Sequence, residues 1–143
     1  MSDYAAMIRR TEAQIKNLHA AIHVTVKHRD ASPSQHELWL RACDKFHAYR
    51  PPIAGLLEAC EMQGIADFAD LRAFAFAYVA VDPYYYRSGY TMERLLRQIK
   101  RLDVSEPEKA SLRSTILTRI DRGARREFRH LCRTIPQIKT ASF

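Results

Sequence analysis

The feature that most constrains this chain is the spacing of its apolar residues, which follows the period of an α-helix almost from end to end. In the first segment, Ile8, Ile15, Leu18 and Ile22 recur at steps of seven, three and four residues. Such steps place the side chains on one face of a helix, which would then pack against other elements. The spacing predicts a first helix over about residues 3–28.

Proline, glycine and capping residues divide this pattern into helices of moderate length. Ser32 before Pro33 is typical of an N-cap with proline at the first helical position, and Ser105 with Glu108 forms a capping box. Ser88 or Thr91 would cap the helix between them. The helices predicted after the first cover about residues 33–49, 52–62, 67–81, 88–102 and 105–135, and Gly123 kinks or splits the last one.

The predicted architecture is all-α: a compact, bundle-like domain of about six or seven helices. A chain of 143 residues has the length of one domain, so residues 1–143 form a single domain with a frayed tail over 136–143. The first two helices form an antiparallel hairpin across their short connection. The helix over 67–81 is apolar almost all round and should lie at the centre.

Several protein classes are excluded by composition. Four glycines and six prolines are too few for collagen, for a linker protein or for most all-β sandwiches. The polar N-terminus lacks the apolar region of a signal peptide, and the longest apolar run, 73–81, is far shorter than the roughly 20 residues that cross a membrane. Cys43, Cys60 and Cys132 are odd in number and far apart, as expected for free thiols. We therefore expect a cytoplasmic protein without membrane contact.

The basic charge of the chain is concentrated in its C-terminal part. Residues 1–86 carry a net charge of −1, whereas residues 87–143 carry a net charge of +8, and most of the basic groups there are arginines. Arginine offers a planar fork of donors that suits phosphate or carboxylate groups. The asymmetry predicts an acidic partner for this part of the chain.

Many of these arginines recur at helical spacing. Two sets stand at steps of three and four residues: Arg94, Arg97 and Arg101 in one, and Arg119, Arg122, Arg126, Arg129 and Arg133 in the other. Of the arginines in these sets, only Arg97 has an acidic residue, Glu93, three or four residues away. Like charges at this spacing repel by a few tenths of a kcal/mol, which favours a partner that relieves the repulsion.

Two other interpretations of the arginine stripes stay open. A stripe of charge is also typical of a helix face that simply meets solvent. Alternatively, acids of the N-terminal half would cover the arginines within the fold, and the acids available for this are Asp44, Glu58, Glu61, Asp67 and Asp70.

A tyrosine-rich loop precedes the first arginine stripe. Tyr84, Tyr85, Tyr86 and Tyr90 lie in this loop, with Arg87 among them. Exposed aromatic rings beside arginine stack on unpaired bases, which makes Tyr86, Arg87 and Tyr90 candidate binding residues. The alternative is that two or three of these tyrosines pack on the core and anchor the loop.

Two pairs of potential metal ligands stand on the predicted hairpin. His19 and His23 lie four residues apart on the first helix, and Cys43 and His47 lie four apart on the second. An antiparallel hairpin would bring the pairs to similar heights, and three imidazoles with one thiolate would suit tetrahedral zinc. The alternative is a core cysteine beside half-buried histidines, and no cofactor is predicted overall.

A possible nuclease motif lies near the C-terminus, where four residues separate Arg125 from His130. This resembles the R-x(4–6)-H motif of the all-helical HEPN ribonucleases, and the resemblance covers six residues together with helical class and size. It implies that Arg125 binds the scissile phosphate and that His130 aids proton transfer without metal, often across a dimer. The alternative is a surface Arg125 paired with Asp121 beside a half-buried histidine.

Taken from sequence, the most plausible function is binding rather than catalysis. The chain has no Gly-rich phosphate loop, no G-x-S-x-G, no H-E-x-x-H and no Cys-x-x-Cys motif. We expect a non-enzymatic interaction protein whose Arg-rich C-terminal surface holds an acidic protein or nucleic-acid phosphates. The alternatives are an inhibitor, immunity-type or adaptor protein for an enzyme or toxin, and a HEPN-like ribonuclease.

Overall fold

The computed structural model describes residues 3–123, 128–134 and 136, and within these ranges the chain is all-helical. Seven helices follow one another in the described residues: α1 (Tyr4–Val26), α2 (Pro33–Ala48), α3 (Ala54–Gln63), α4 (Ala69–Val81), α5 (Ser88–Ile99), α6 (Glu106–Arg122) and α7 (Phe128–Cys132). The predicted all-α architecture is confirmed. Most of the tail predicted to fray lies outside the described residues.

The helix starts follow the local chemistry of the sequence. Ser32 accepts a hydrogen bond from the Gln35 N–H at 3.2 Å, and Pro33 opens α2 as predicted. Ser105 and Glu108 form the predicted reciprocal capping box, in which the Ser105 N–H donates to the Glu108 carboxylate at 2.8 Å. The predicted cap of α5 by Ser88 or Thr91 was wrong, because no side chain of the described residues caps this helix. The hydroxyl of Ser88 instead accepts a hydrogen bond from the Tyr85 N–H at 3.0 Å, which links the preceding loop to the start of α5.

Three residues with positive φ end helices. Gly64 ends α3 with a φ of 74°, and Gly123 ends α6 with a φ of 91°. Asp82 ends α4 in the left-handed conformation, with a φ of 53°, and Pro83 follows it. A left-handed residue followed by proline is a common helix stop, because proline does not continue the helix. Gly123 therefore separates α6 from α7.

The central position predicted for α4 is confirmed. This helix packs against α1, α3, α5 and α6, and its side chains Phe74 and Tyr78 are completely buried. The Tyr78 hydroxyl lies 2.9 Å from that of Tyr85, which anchors the following loop to the core. Burial in this apolar environment raises the pKa of Tyr78 far above its usual value.

Helices α1 and α2 form the predicted antiparallel hairpin. The guanidinium of Arg29 lies 5.3 Å from the Trp39 ring centroid near the turn, and the rings of His19 and Phe46 lie 5.8 Å apart farther along. Only the first turns of α1 enter the main core, where Ile8 is completely buried. The arginine-rich helices α5 to α7 contribute side chains to this main core, whereas the distal part of the hairpin does not.

Candidate polyanion-binding surface

Helix α5 presents a continuous stripe of cations and one aromatic ring to solvent. The stripe consists of exposed residues at steps of three and four: Arg87, Tyr90, Arg94, Arg97 and Arg101. The opposite face of α5 is buried in the core through Met92, Leu95, Leu96 and Ile99. Because α5 is docked by this apolar face, its arginines have to face outward.

The N-terminal end of the stripe combines a cation with an aromatic ring. Arg87 precedes the first residue of α5 in the left-handed conformation, with a φ of 68°. Its guanidinium carbon lies 5.5 Å from the centroid of the Tyr90 ring, within the range of a cation–π contact. The side chain of Tyr90 is 43% exposed, so the ring also meets solvent.

A groove of about 380 Å³ runs between α3 and α5 beside this stripe. Apolar side chains line part of it, namely Leu57, Cys60 and Leu95. The arginines of the stripe, Arg94, Arg97 and Arg101, line it together with the acids Glu58 and Glu61. The groove thus combines apolar surface with three guanidinium groups.

Both acids of the groove already have cationic partners. Glu61 lies 3.4 Å from Arg94, and Glu58 lies 3.1 Å from Arg50, which belongs to the N-terminal half of the chain. The hydrogen bond from Arg50 lowers the pKa of the Glu58 carboxyl. Of the acids expected to cover the arginines, Glu61 alone does so in the described residues, because Asp44, Asp67 and Asp70 are exposed without such contacts.

Helix α7 extends the basic surface next to α5. Arg129 and Arg133 are exposed on either side of the buried His130. A cavity of only about 40 Å³ beside His130 is lined by Arg97 and Lys100 of the α5 region and by Arg133. We call the exposed arginines of this region the α5–α7 basic surface, which comprises Arg94, Arg97, Arg101, Arg129 and Arg133.

His130 forms a buried contact with a carboxylate below this surface. Its Nε2 lies 3.5 Å from an oxygen of Glu93, whose other oxygen lies 4.0 Å from Arg97. Burial lowers the pKa of His130, and the nearby arginines of the basic surface lower it further, whereas Glu93 acts in the opposite direction. The sequence indicated the Glu93–Arg97 pair, which lies within one helix. It did not indicate the contact between Glu93 and His130, because Glu93 belongs to α5 and His130 to α7.

The predicted stripe from Arg119 to Arg133 does not form one helix face. Arg119 is buried and forms an ion pair with Asp82. The side chain of Arg119 is 4% exposed and that of Asp82 is 8% exposed. Arg122 is exposed in the last turn of α6, whereas Arg129 and Arg133 lie on or next to α7 beyond the break at Gly123. Arg126 lies outside the described residues. The exposed binding role predicted for Arg119 is therefore wrong, because a distant acid covers it.

The tyrosines of the loop differ in their surroundings. Tyr85 packs against the core, whereas Tyr84 and Tyr86 are 63% and 56% exposed. The Tyr86 ring contacts the hairpin, at centroid distances of 5.9 Å from His19 and 5.5 Å from Phe46. Tyr86 therefore faces α1 and α2, and Tyr90 alone among the predicted tyrosines belongs to the α5 stripe.

The four candidate metal ligands are not assembled into a site. His19 stacks on His23 with ring centroids 6.0 Å apart, and Phe46 contacts both His19 at 5.8 Å and His47 at 5.6 Å. Cys43 is half-buried on α2. Within the described residues, no group of three His, Cys, Asp or Glu side chains is arranged to hold a metal ion. The described residues therefore give the zinc hypothesis no support.

The proposed nuclease pair receives no support from the position of His130. Its side chain is 5% exposed, and the adjoining cavity of about 40 Å³ is much smaller than the few hundred Å³ that ligand sites usually offer. Arg125 lies outside the described residues. A histidine that transfers protons to a substrate has to reach it, and His130 instead contacts Glu93.

Comparisons with protein-family models, with curated proteins and with solved structures find no match to this chain. Among the described helices, none combines the length and the apolar character needed to cross a membrane. The function is therefore inferred from the charges, contacts and shape of the α5–α7 basic surface.

Proposed function

We propose that the chain is a non-enzymatic binding protein that holds the phosphates of a nucleic acid on the α5–α7 basic surface. The observation that carries the proposal is the exposed stripe along α5, where Arg94 and Arg97 on the helix are followed by Arg101 two residues beyond its end. Side chains three and four residues apart on a helix have Cβ atoms about 5–6 Å from each other. Successive arginines can therefore engage successive anionic groups of one extended strand.

The chemistry of the stripe supports a nucleic acid over other anions. Guanidinium groups bind phosphate through two parallel hydrogen bonds, and the concentration of arginines increases the local positive potential. Tyr90 stands between Arg87 and Arg94 and is 43% exposed. An aromatic ring within a basic stripe suits single-stranded nucleic acid, because unpaired bases stack on it at about 1–3 kcal/mol per base.

An acidic protein is the second candidate, and the groove beside α5 favours it. Leu57 and Leu95 provide apolar surface next to Arg94 and Arg97. An amphipathic helix with acidic residues would bury apolar side chains in such a groove and place its carboxylates against the arginines. An adaptor or inhibitor role would follow from this mode of binding.

Fluorescence anisotropy with labelled single-stranded RNA, single-stranded DNA and duplex DNA tests the proposal. We expect single strands to bind more tightly than the duplex, and log Kd to depend linearly on log salt concentration. The double variant Arg94→Gln/Arg101→Gln should bind at least tenfold more weakly and with a smaller salt dependence. The matched control Arg10→Gln/Lys27→Gln removes two exposed cations, one on α1 and one at its C-cap, and should bind within about twofold of wild type.

Two outcomes would contradict nucleic-acid binding. One is equal weakening by both double variants, which would indicate attraction to the net charge of the chain alone. The other is the absence of salt-dependent binding to any nucleic acid. In that case, binding of an acidic amphipathic helix that Arg94→Gln/Arg101→Gln abolishes would support the second candidate.

A further inference from the structure

A second group of basic residues lies where α4 ends between α1 and α6. A cavity of about 350 Å³ there is lined by Arg9 from α1 and Arg122 from α6. A neighbouring cavity of about 390 Å³ shares Asp82 and Arg122 with it and adds Glu12 and Lys16. We call the two together the α4-end basin, and none of these residues belongs to the α5–α7 basic surface.

The acids of the basin are already matched by cations. Asp82 forms its buried ion pair with Arg119, and both side chains are more than nine-tenths buried. Glu12 accepts a hydrogen bond from the Tyr84 N–H and lies 3.8 Å from Lys16. With these acids engaged, the two arginines from α1 and α6 supply the excess charge of the basin.

The positive charge of these two arginines is larger than the partial negative charge at the C-terminal end of α4. The C-terminal end of a helix acts as roughly −0.5 elementary charge, and Ala80 and Val81 at the end of α4 line the cavity. Arg9 and Arg122 together carry about four times that charge with opposite sign. The basin therefore remains attractive to an anion.

Hydroxyl groups line the α6 side of the basin. Ser111, Ser114, Thr115 and Thr118 all line the first cavity. The Thr115 hydroxyl donates to the Ser111 carbonyl at 3.0 Å and is engaged within the helix. Ser114 and Thr118 are exposed and stand one turn apart, with Arg122 one turn beyond Thr118.

We propose that the α4-end basin binds a phosphate group, either free or as the monoester of a small molecule. Arg9 and Arg122 line the same cavity from different helices, so each can offer its fork of donors to one anion there, and Ser114 and Thr118 line that cavity as further hydroxyl donors. A volume of about 350 Å³ lies at the lower end of the range for small-molecule sites. The inference is independent of nucleic-acid binding on α5.

Isothermal titration calorimetry of the full chain with inorganic phosphate and, separately, glycerol phosphate tests this proposal. We expect saturable binding of at least one probe, and tighter binding of the ester would identify a small phosphomonoester as the ligand. Arg9→Gln and Arg122→Gln should each weaken binding at least tenfold. The neighbouring exposed arginine provides a matched control, and Arg10→Gln should stay within about twofold of wild type.

A variant that keeps every charge provides a second measurement. Ser114→Ala should weaken binding about tenfold, because it removes one hydrogen bond to a charged group. Arg94→Gln/Arg101→Gln should bind both probes as wild type does, which distinguishes this site from the one on α5. The proposal is overturned if neither probe binds saturably, if Arg9→Gln and Arg10→Gln weaken binding equally, or if Ser114→Ala has no effect.

Discussion

Arg119 on α6 is held by Asp82, the left-handed residue that ends α4, in an ion pair buried between the two helices. Removing one member of a buried ion pair typically costs 3–5 kcal/mol, because the remaining charge stays desolvated and loses that attraction. We expect Asp82→Asn or Arg119→Met to lower the free energy of unfolding by about this amount. Urea denaturation followed by circular dichroism measures it, with Arg122→Met as the exposed control on the same helix. A loss below about 1 kcal/mol would contradict the structural role of the pair.

Glu108 should make the stability depend on pH in the acid range. Arg72 donates two hydrogen bonds to its carboxylate, at 2.7 and 2.6 Å, and this pairing lowers the pKa of Glu108 from 4.5 to about 2. A depressed folded-state pKa contributes stability that is present above pH 4.5 and is lost as the pH falls towards 2. Glu108→Gln should therefore destabilise the protein at pH 7 and have much less effect at pH 2. Equal effects at both pH values would contradict this assignment.

His130 should oppose folding in mildly acidic solution. Burial lowers its pKa below 6.5, so the unfolded chain takes up the proton before the folded one does. Stability should fall as the pH drops below 6.5, until the pKa of the folded state is passed. Thermal unfolding between pH 5 and pH 8 checks this, and His130→Gln should flatten the dependence in that window. Burial is the largest cause of the lowered pKa of His130; Glu93 opposes it, and Arg129, Arg133 and Arg97 add to it.

Gly123 should resist substitution because of its backbone conformation and not because of space. Its φ is 91°, and among the described residues, its chain neighbours aside, no atom lies within 4 Å of the position that a Cβ would occupy. Gly123→Ala should therefore cost about 1 kcal/mol or more through strain alone. Gly55 is a helical glycine with equally open surroundings, so Gly55→Ala should be neutral or stabilising. A thermal shift of the same sign in both variants would contradict this explanation.

The arginines on and just after α7 should contribute to binding without supporting the fold. Arg129 and Arg133 are exposed, so their replacement by glutamate should change stability by less than about 0.5 kcal/mol each. Nucleic-acid binding should fall more than tenfold in Arg129→Glu/Arg133→Glu, because the variant reverses two charges beside the α5 stripe. Anisotropy and thermal unfolding of the same preparation separate the two effects. Unchanged binding in a folded variant would exclude α7 from the surface.

The sequence by itself determined the helical class and most helix boundaries. Capping and termination depend on neighbours within about four residues, and the capping box at Ser105, the N-cap at Ser32 and the break at Gly123 appear where predicted. The arginine stripe of α5 also follows from local spacing, because the apolar face of that helix decides which face remains outside. These features are encoded over one or two helical turns.

Only the tertiary structure decided which polar groups are available to a partner. Neither Arg119 nor Arg122 has an acid three or four residues away, yet the first is buried against Asp82, 37 residues away, and the second is exposed. His130 likewise meets Glu93 only because α7 packs on α5. Helix periodicity defines relative directions within one element, whereas partners and burial depend on how separate elements pack. The net charge, its concentration in the C-terminal part and the stripe on α5 therefore follow from the sequence, whereas the division of the other arginines into buried and exposed ones does not.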